Sequence, residues 1–156
     1  MANTYAKLYN HIVFGVRNRQ SLISKELQEP LNKYITGIVT NSKQKMLIIN
    51  GHRDHIHMLV GCRTSVRLDD LVKEVKEHSS KWINSNRFVR GKFNWQEGYG
   101  AFSVASWNYD VIYDYIRNQE EHHRKKTFRE EYIEFLEQEK IDFDPRYIFY
   151  NAEDVE

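Results

Sequence analysis

Two histidines one residue apart, His55 and His57, lie in the run Asp54-His55-Ile56-His57-Met58-Leu59-Val60. In an extended strand, side chains two apart point the same way, so both imidazoles share one face while Ile56, Met58 and Val60 take the other. Two imidazoles fixed side by side on a strand supply two ligands for a divalent metal. The same pair also suits surface histidines bonded to Asp54 or to water. A second constellation is Tyr115 and Gln119, whose i, i+4 spacing brings their Cβ atoms about 5–6 Å apart on a helix. A phenol attacking near a metal, and a carboxamide completing its coordination, need such proximity. Taken singly, Tyr115 reads as a half-buried helix tyrosine and Gln119 as a solvated surface residue.

Rigid elements must position these groups. Residues 5–16 are rich in aromatic and β-branched types and read as a strand, ended by the polar turn Arg17-Asn18-Arg19-Gln20. Leu27, Leu31, Tyr34, Ile35 and Ile38 recur at helical spacing, so residues 24–41 form an amphipathic helix. Pro30 must fall in its first turn or kink it. Met46–Asn50 and Ile56–Val60 read as a hairpin around Gly51-His52-Arg53-Asp54. A helix over 66–84 follows, apolar along Leu68, Leu71, Val72, Val75, Trp82 and Ile83, with Lys73, Lys76 and Lys81 opposite. After a basic loop, residues 93–104 lead into a fourth strand. A third helix spans 108–123, and Thr127-Phe128-Arg129-Glu130 is a capping box opening a last helix that ends near Lys140. The order β-α-β-β-α-β-α is the split βαβ arrangement of ferredoxin-like and RRM-like α+β folds. It predicts an antiparallel sheet with helices on one face and the other face open.

The chain has 156 residues, 40% of them hydrophobic, which suits one domain with a real core. We place a core at about 5–140 and a tail at 141–156. No apolar run approaches the roughly 20 residues of a bilayer span, and the N-terminus lacks the apolar stretch of a signal peptide, so no membrane partner is expected. The lone Cys62 allows neither an internal disulfide nor a cysteine cluster. The net charge of +1 conceals an asymmetry: residues 1–100 hold 16 Lys/Arg against 8 Asp/Glu, and residues 101–156 hold 7 against 14. A basic body suits a polyanion. Opposite charges pairing across the fold, or between subunits, explain the asymmetry equally well.

Three segments together carry a resemblance. Asp54–Val60, Trp95-Gln96-Glu97-Gly98-Tyr99-Gly100-Ala101-Phe102-Ser103-Val104 and Tyr115-Ile116-Arg117-Asn118-Gln119-Glu120-Glu121-His122-His123-Arg124 closely resemble the single-tyrosine HUH transposases of the insertion-sequence 200/605 (IS200-like) group, as does Asn10-His11-Ile12-Val13-Phe14 in the opening strand. The motifs follow the family's order and cover roughly residues 5–140. The resemblance implies that His55, His57 and Gln119 bind Mg²⁺ or Mn²⁺ and that Tyr115 is the nucleophile, on a C-terminal catalytic helix. It further implies a homodimer whose tyrosine helix completes the partner's metal site. Such enzymes cut and rejoin single-stranded DNA beside hairpins at element ends, in the cytoplasm of a bacterium or archaeon. Arg53 departs from the proline many members carry, and the tail after 140 matches least.

A tyrosine with a pKa near 10 is a weak nucleophile at neutral pH, so neighbouring charge or a base must assist it. Arg17, Arg19, Lys73, Lys76 and Lys81 are the candidate DNA-phosphate contacts; as a solvated charged face they would have no such role. Two alternatives stand beside the transposase reading. One is a domesticated REP-associated relative that nicks genomic hairpins, and the other is a single-stranded nucleic-acid-binding module without chemistry.

Overall fold

A computed structural model describes residues 3–149. The elements are β1 (Leu8–Gly15), α1 (Lys25–Asn41), β2 (Lys45–His52), β3 (His55–Cys62), α2 (Leu68–Ser85), β4 (Gly100–Val104), α3 (Tyr109–Arg117), α4 (Gln119–His122) and α5 (Phe128–Gln138). The strands form one antiparallel sheet in the order β2-β3-β1-β4. This is the split βαβ topology expected from the element order.

Alternation within the two central strands divides the sheet into unlike faces. Ile12 and Phe14 of β1 join Ile56, Met58 and Val60 of β3 on one face. There they pack against Leu27, Leu31, Ile35 and Val39 of α1 and Leu71, Val72, Val75 and Ile83 of α2. Ser24 caps α1, its hydroxyl accepting from the Leu27 amide at 3.2 Å. Pro30 lies in the second turn, and the helix continues through it. Pro30 and Glu26 are both exposed, so water can serve the Glu26 carbonyl that Pro30 cannot.

The other face is not left open. His11 and Val13 of β1, with His55, His57 and Leu59 of β3, are covered by α3, α4 and α5. Phe128, Tyr132 and Leu136 of α5 meet Val13 and Phe102, while Ile116 of α3 meets Leu59 and Val104. Thr127 and Glu130 form the expected reciprocal capping box at the start of α5. Phe149 of the tail packs on Phe128 and Tyr132, and Arg129 donates to the Pro145 carbonyl at 2.9 Å. The remainder of the tail, 150–156, lies outside the described residues.

The third helix is broken where a continuous one was expected. A 3-10 turn at 106–108 precedes α3, and Asn118 interrupts the chain before α4 with φ −99° and ψ 33°. Asn50 of β2 explains the break: its Nδ2 donates to the carbonyls of Ile116 and Arg117, each at 3.0 Å. These carbonyls would otherwise lack partners at a helix end. The pinned break lets α4 turn independently and directs Gln119 inward.

Candidate active site

β3 presents His55 and His57 side by side, both 0% exposed. Each ring has its Nδ1 engaged. His55 Nδ1 meets Asp54 Oδ1 at 2.7 Å, and His57 Nδ1 meets His11 Nε2 at 2.8 Å. Their Nε2 atoms therefore aim at a common point beneath the C-terminal helices. His55 Nε2 lies 3.0 Å from Gln119 Oε1 and 3.4 Å from Glu131 Oε1, while His57 Nε2 lies 2.8 Å from the same Glu131 oxygen. The other Glu131 oxygen accepts the hydroxyl hydrogen of Tyr115 and lies 3.3 Å from His123 Nε2. His123 Nε2 is also 3.1 Å from Gln119 Oε1.

Electrostatics hold this cluster together. Burial opposes charge on His55, but its bonds to Asp54 and Glu131 outweigh that and raise its pKa to about 9. Burial lowers His57 despite Glu131, and lowers His11 further with help from His57. Burial alone would raise Glu131; His57 and the bonds from His123 and His55 instead hold its carboxyl far below the ordinary range. Tyr115 is pushed up, first by burial and then by the negative charge of Glu131. Without a cation in the cluster, the phenol keeps its proton and hands Glu131 a hydrogen bond.

The donor set fits a divalent ion. With its Nδ1–H given to Asp54, His55 aims Nε2 at two oxygen acceptors, so a proton or a cation must lie between them. The ligand atoms of His55, His57 and Glu131 all lie within 4.8 Å of one another. Two imidazoles, a carboxylate and an amide oxygen form a mixed N/O set without thiolate that could hold a divalent ion.

Tyr115, Gln119, His55 and His57 thus come together within one chain. Two participants escaped the sequence reading. Glu131 was hidden beside the capping box, yet it shares the apolar stripe of α5 with Phe128, Tyr132 and Phe135. An acidic residue on a core-facing stripe signals a buried partner. His11 lies in the middle of an apolar strand, on the same face as Val13, and its position there was the available signal. His123 belongs to the cluster, and His122 stacks on the Tyr115 ring at 4.5 Å.

The expected DNA contacts are not gathered at this site. Lys73, Lys76 and Lys81 are on α2, across the sheet from the histidines. Lys76 is a correction: its ammonium donates to the carbonyls of Gln96, Glu97 and Gly98 at 2.7, 3.1 and 2.7 Å, which uses all three N–H groups. Burial lowers its pKa to about 8. Lys76 therefore fastens the 96–98 loop and has no donor left for a phosphate. Arg17 and Arg19 lie in a 3-10 turn after β1, with the Arg19 guanidinium 5.3 Å from the Phe149 ring centre. Trp95 and Phe102 are core residues, and Trp95 donates to Ser79 Oγ at 2.9 Å.

Two solved structures share this fold. A candidate transposase from Deinococcus radiodurans R1 aligns with TM-score 0.61 and 21% identity, over 76% of this chain and 95% of its own. A REP-associated tyrosine transposase bound to a REP hairpin aligns with TM-score 0.58 and 15% identity, over 76% of this chain and 70% of its own. Among curated proteins there is no significant match. The profile described as "Transposase IS200 like" matches residues 4–119, which hold both histidines, the tyrosine and the glutamine. The chain belongs to the IS200-like transposase family.

Proposed function

We propose that this transposase cleaves and rejoins single-stranded DNA at hairpin-flanked element ends, with Tyr115 as nucleophile and a divalent ion held by His55, His57, Glu131 and Gln119. One observation carries the reading: the Tyr115 hydroxyl and both histidine Nε2 atoms converge on a single carboxylate, Glu131. When bound, Mg²⁺ or Mn²⁺ would draw charge from a scissile phosphate oxygen. Tyr115 Oη attacks phosphorus as the bond to the 3′ oxygen breaks, leaving a 5′-phosphotyrosine and a free 3′ end. Glu131, already accepting the phenol's hydrogen bond, orients Tyr115 Oη, and the charge of a bound ion would favour loss of the phenol's proton to solvent. The covalent link conserves the phosphodiester, so a second 3′-hydroxyl can attack it and release Tyr115 in strand transfer.

We read the chemistry as lying within one chain, a reading supported by the packing of α3, α4 and α5 on their own sheet. Pairing into a homodimer with exchanged tyrosine helices, as the resemblance implies, is not needed to bring these groups together. Mixing Tyr115→Phe with a His55→Ala/His57→Ala variant under re-pairing conditions separates the two arrangements. A cis site leaves the mixture inactive, whereas a shared site restores cleavage. The metal role is tested by incubation with single-stranded DNA flanking the gene. EDTA should stop cleavage and Mn²⁺ or Mg²⁺ should restore it; full cleavage in EDTA would remove the metal from the scheme. The neighbour bound to a REP hairpin favours a second reading, a relative that nicks repeated genomic hairpins. Repeats scattered beyond the gene, rather than paired ends around it, would be its signature.

A further inference from the structure

Two clefts of similar size flank the tyrosine helix, and they differ in charge. One, of 360 Å³, is lined by Tyr115, Phe102 and Phe135 together with Glu131, Glu134 and Glu139, and no lysine or arginine lines it. The other, of 340 Å³, is lined by Lys25, Arg53, Arg117 and Arg124 against Glu120 and Glu121. All six of these charged side chains are exposed. Arg117 and Arg124 hold acids three residues before them, Asp114 at 2.9 Å and Glu121 at 3.5 Å. Such exposed pairs are worth roughly 0–1 kcal/mol, so a phosphate can compete for both guanidinium groups.

This basic groove is one ring away from the active site. His52 lines it and stacks on His123 at 5.1 Å, and His123 reaches Gln119 at 3.1 Å. Asn50, also in the groove, pins the end of α3 and thereby fixes Arg117 beside Arg53. The cations come from four separate segments: the start of α1, the β2–β3 turn, the end of α3 and the segment after α4. Only the folded chain assembles them: the run Arg124-Lys125-Lys126 supplies just one of the four groove cations.

We propose that the groove lined by Lys25, Arg53, Arg117 and Arg124 binds the phosphate backbone of the single DNA strand that the site cuts. This inference rests on the single-strand cleavage reading and names where that substrate lies. It replaces the α2 lysines, which sit on the far face, as the main anionic contact.

The test is the salt dependence of binding of a fluorescent oligothymidylate, read by anisotropy for the full chain in EDTA, where no cleavage occurs. An Arg53→Ala/Arg117→Ala/Arg124→Ala variant should bind at least about tenfold more weakly at low salt. Its slope of log affinity on log salt should be shallower by about 2, since each single-strand phosphate contact contributes roughly 0.7. The triple lysine variant at the same positions should keep the wild-type slope. Lys73→Ala/Lys81→Ala, on the opposite face, should leave both quantities unchanged. An unaltered slope in the alanine variant, or an equal change in the α2 variant, overturns the groove. The two readings fail separately. Wild-type binding that depends on the groove but never yields a covalent adduct refutes the cleavage reading alone. Adduct formation with a groove variant that binds normally refutes the groove alone.

Discussion

The two faces of this sheet are built from the same strands and do opposite work. On the face toward α1 and α2, β1 and β3 contribute Ile12, Phe14, Ile56, Met58 and Val60, all at most 2% exposed and all apolar. On the face toward α3–α5, the alternate positions hold His11, His55 and His57, also at most 1% exposed. Burial of apolar area stabilises the first face without regard to direction. The second is a directional network in which every histidine needs a particular partner, and a partly satisfied network is costly. A rigid apolar face thus serves as the bench on which a polar site is held in register.

If that division is right, substitutions on the two faces should separate stability from chemistry. The largest stability effect belongs to the apolar face. Phe14→Ala should cost roughly 3–5 kcal/mol in urea unfolding, and the activity lost should match the fraction unfolded. Glu131→Gln on the polar face should cost less, about 1–3 kcal/mol, as one buried acceptor is weakened for several donors. Its distinguishing effect is on the ion. Wild-type melting should rise with Mn²⁺, by about 2.7 kcal/mol of stability at a hundredfold excess over Kd, while the variant should show little rise. An undiminished Mn²⁺ shift in Glu131→Gln would take Glu131 out of the ligand set. Acid adds a further contrast. The folded pKa of Glu131 lies below its ordinary 4.5, so its charge stabilises the fold above that value and the benefit fades as pH falls below it. Wild type should therefore lose stability below about pH 4.5 more steeply than Glu131→Gln.

Smaller effects sharpen the same contrast. A Cβ at Gly15 would lie 2.5 Å from Phe128 Cε2, and Phe128 stacks on the His55 ring at 4.1 Å. Gly15→Ala should cost about 1–3 kcal/mol by overpacking and lower Mn²⁺ affinity while leaving the α1–α2 face packed. Calorimetric titration beside near-UV dichroism would read both changes. Thr127→Ala, which removes the α5 cap, should cost only about 1 kcal/mol in thermal melting.

What could be read from the sequence follows the range of the forces involved. Strand alternation and helical periodicity are local, so the faces of β1 and β3 and the apolar stripes of α1 and α2 were visible in single segments. His55 and His57 stood out because a strand fixes their relation over two residues. Glu131 was not visible as a partner because its contact to His57 spans 74 positions, and only α5 folding back over the sheet creates it. The break at Asn118 was missed for the same reason, since it depends on an asparagine in β2. Lysines on α2 looked like DNA contacts by type alone. The fold then committed Lys76 to three carbonyls and placed α2 on the face opposite the histidines.

The central claim is that Tyr115 is the atom source for a covalent bond to DNA beside the His55–His57–Glu131 cluster. Its most direct test incubates the protein with Mn²⁺ and a 3′-labelled single strand from the DNA flanking its gene, followed by denaturing electrophoresis and mass spectrometry of the labelled peptide. The account expects a labelled adduct on the peptide containing Tyr115, absent from Tyr115→Phe although that variant still folds and binds the strand. An adduct that persists in Tyr115→Phe, carried by Tyr109 or Tyr113, or a wild-type protein that binds the strand without ever becoming linked to it, would contradict the claim.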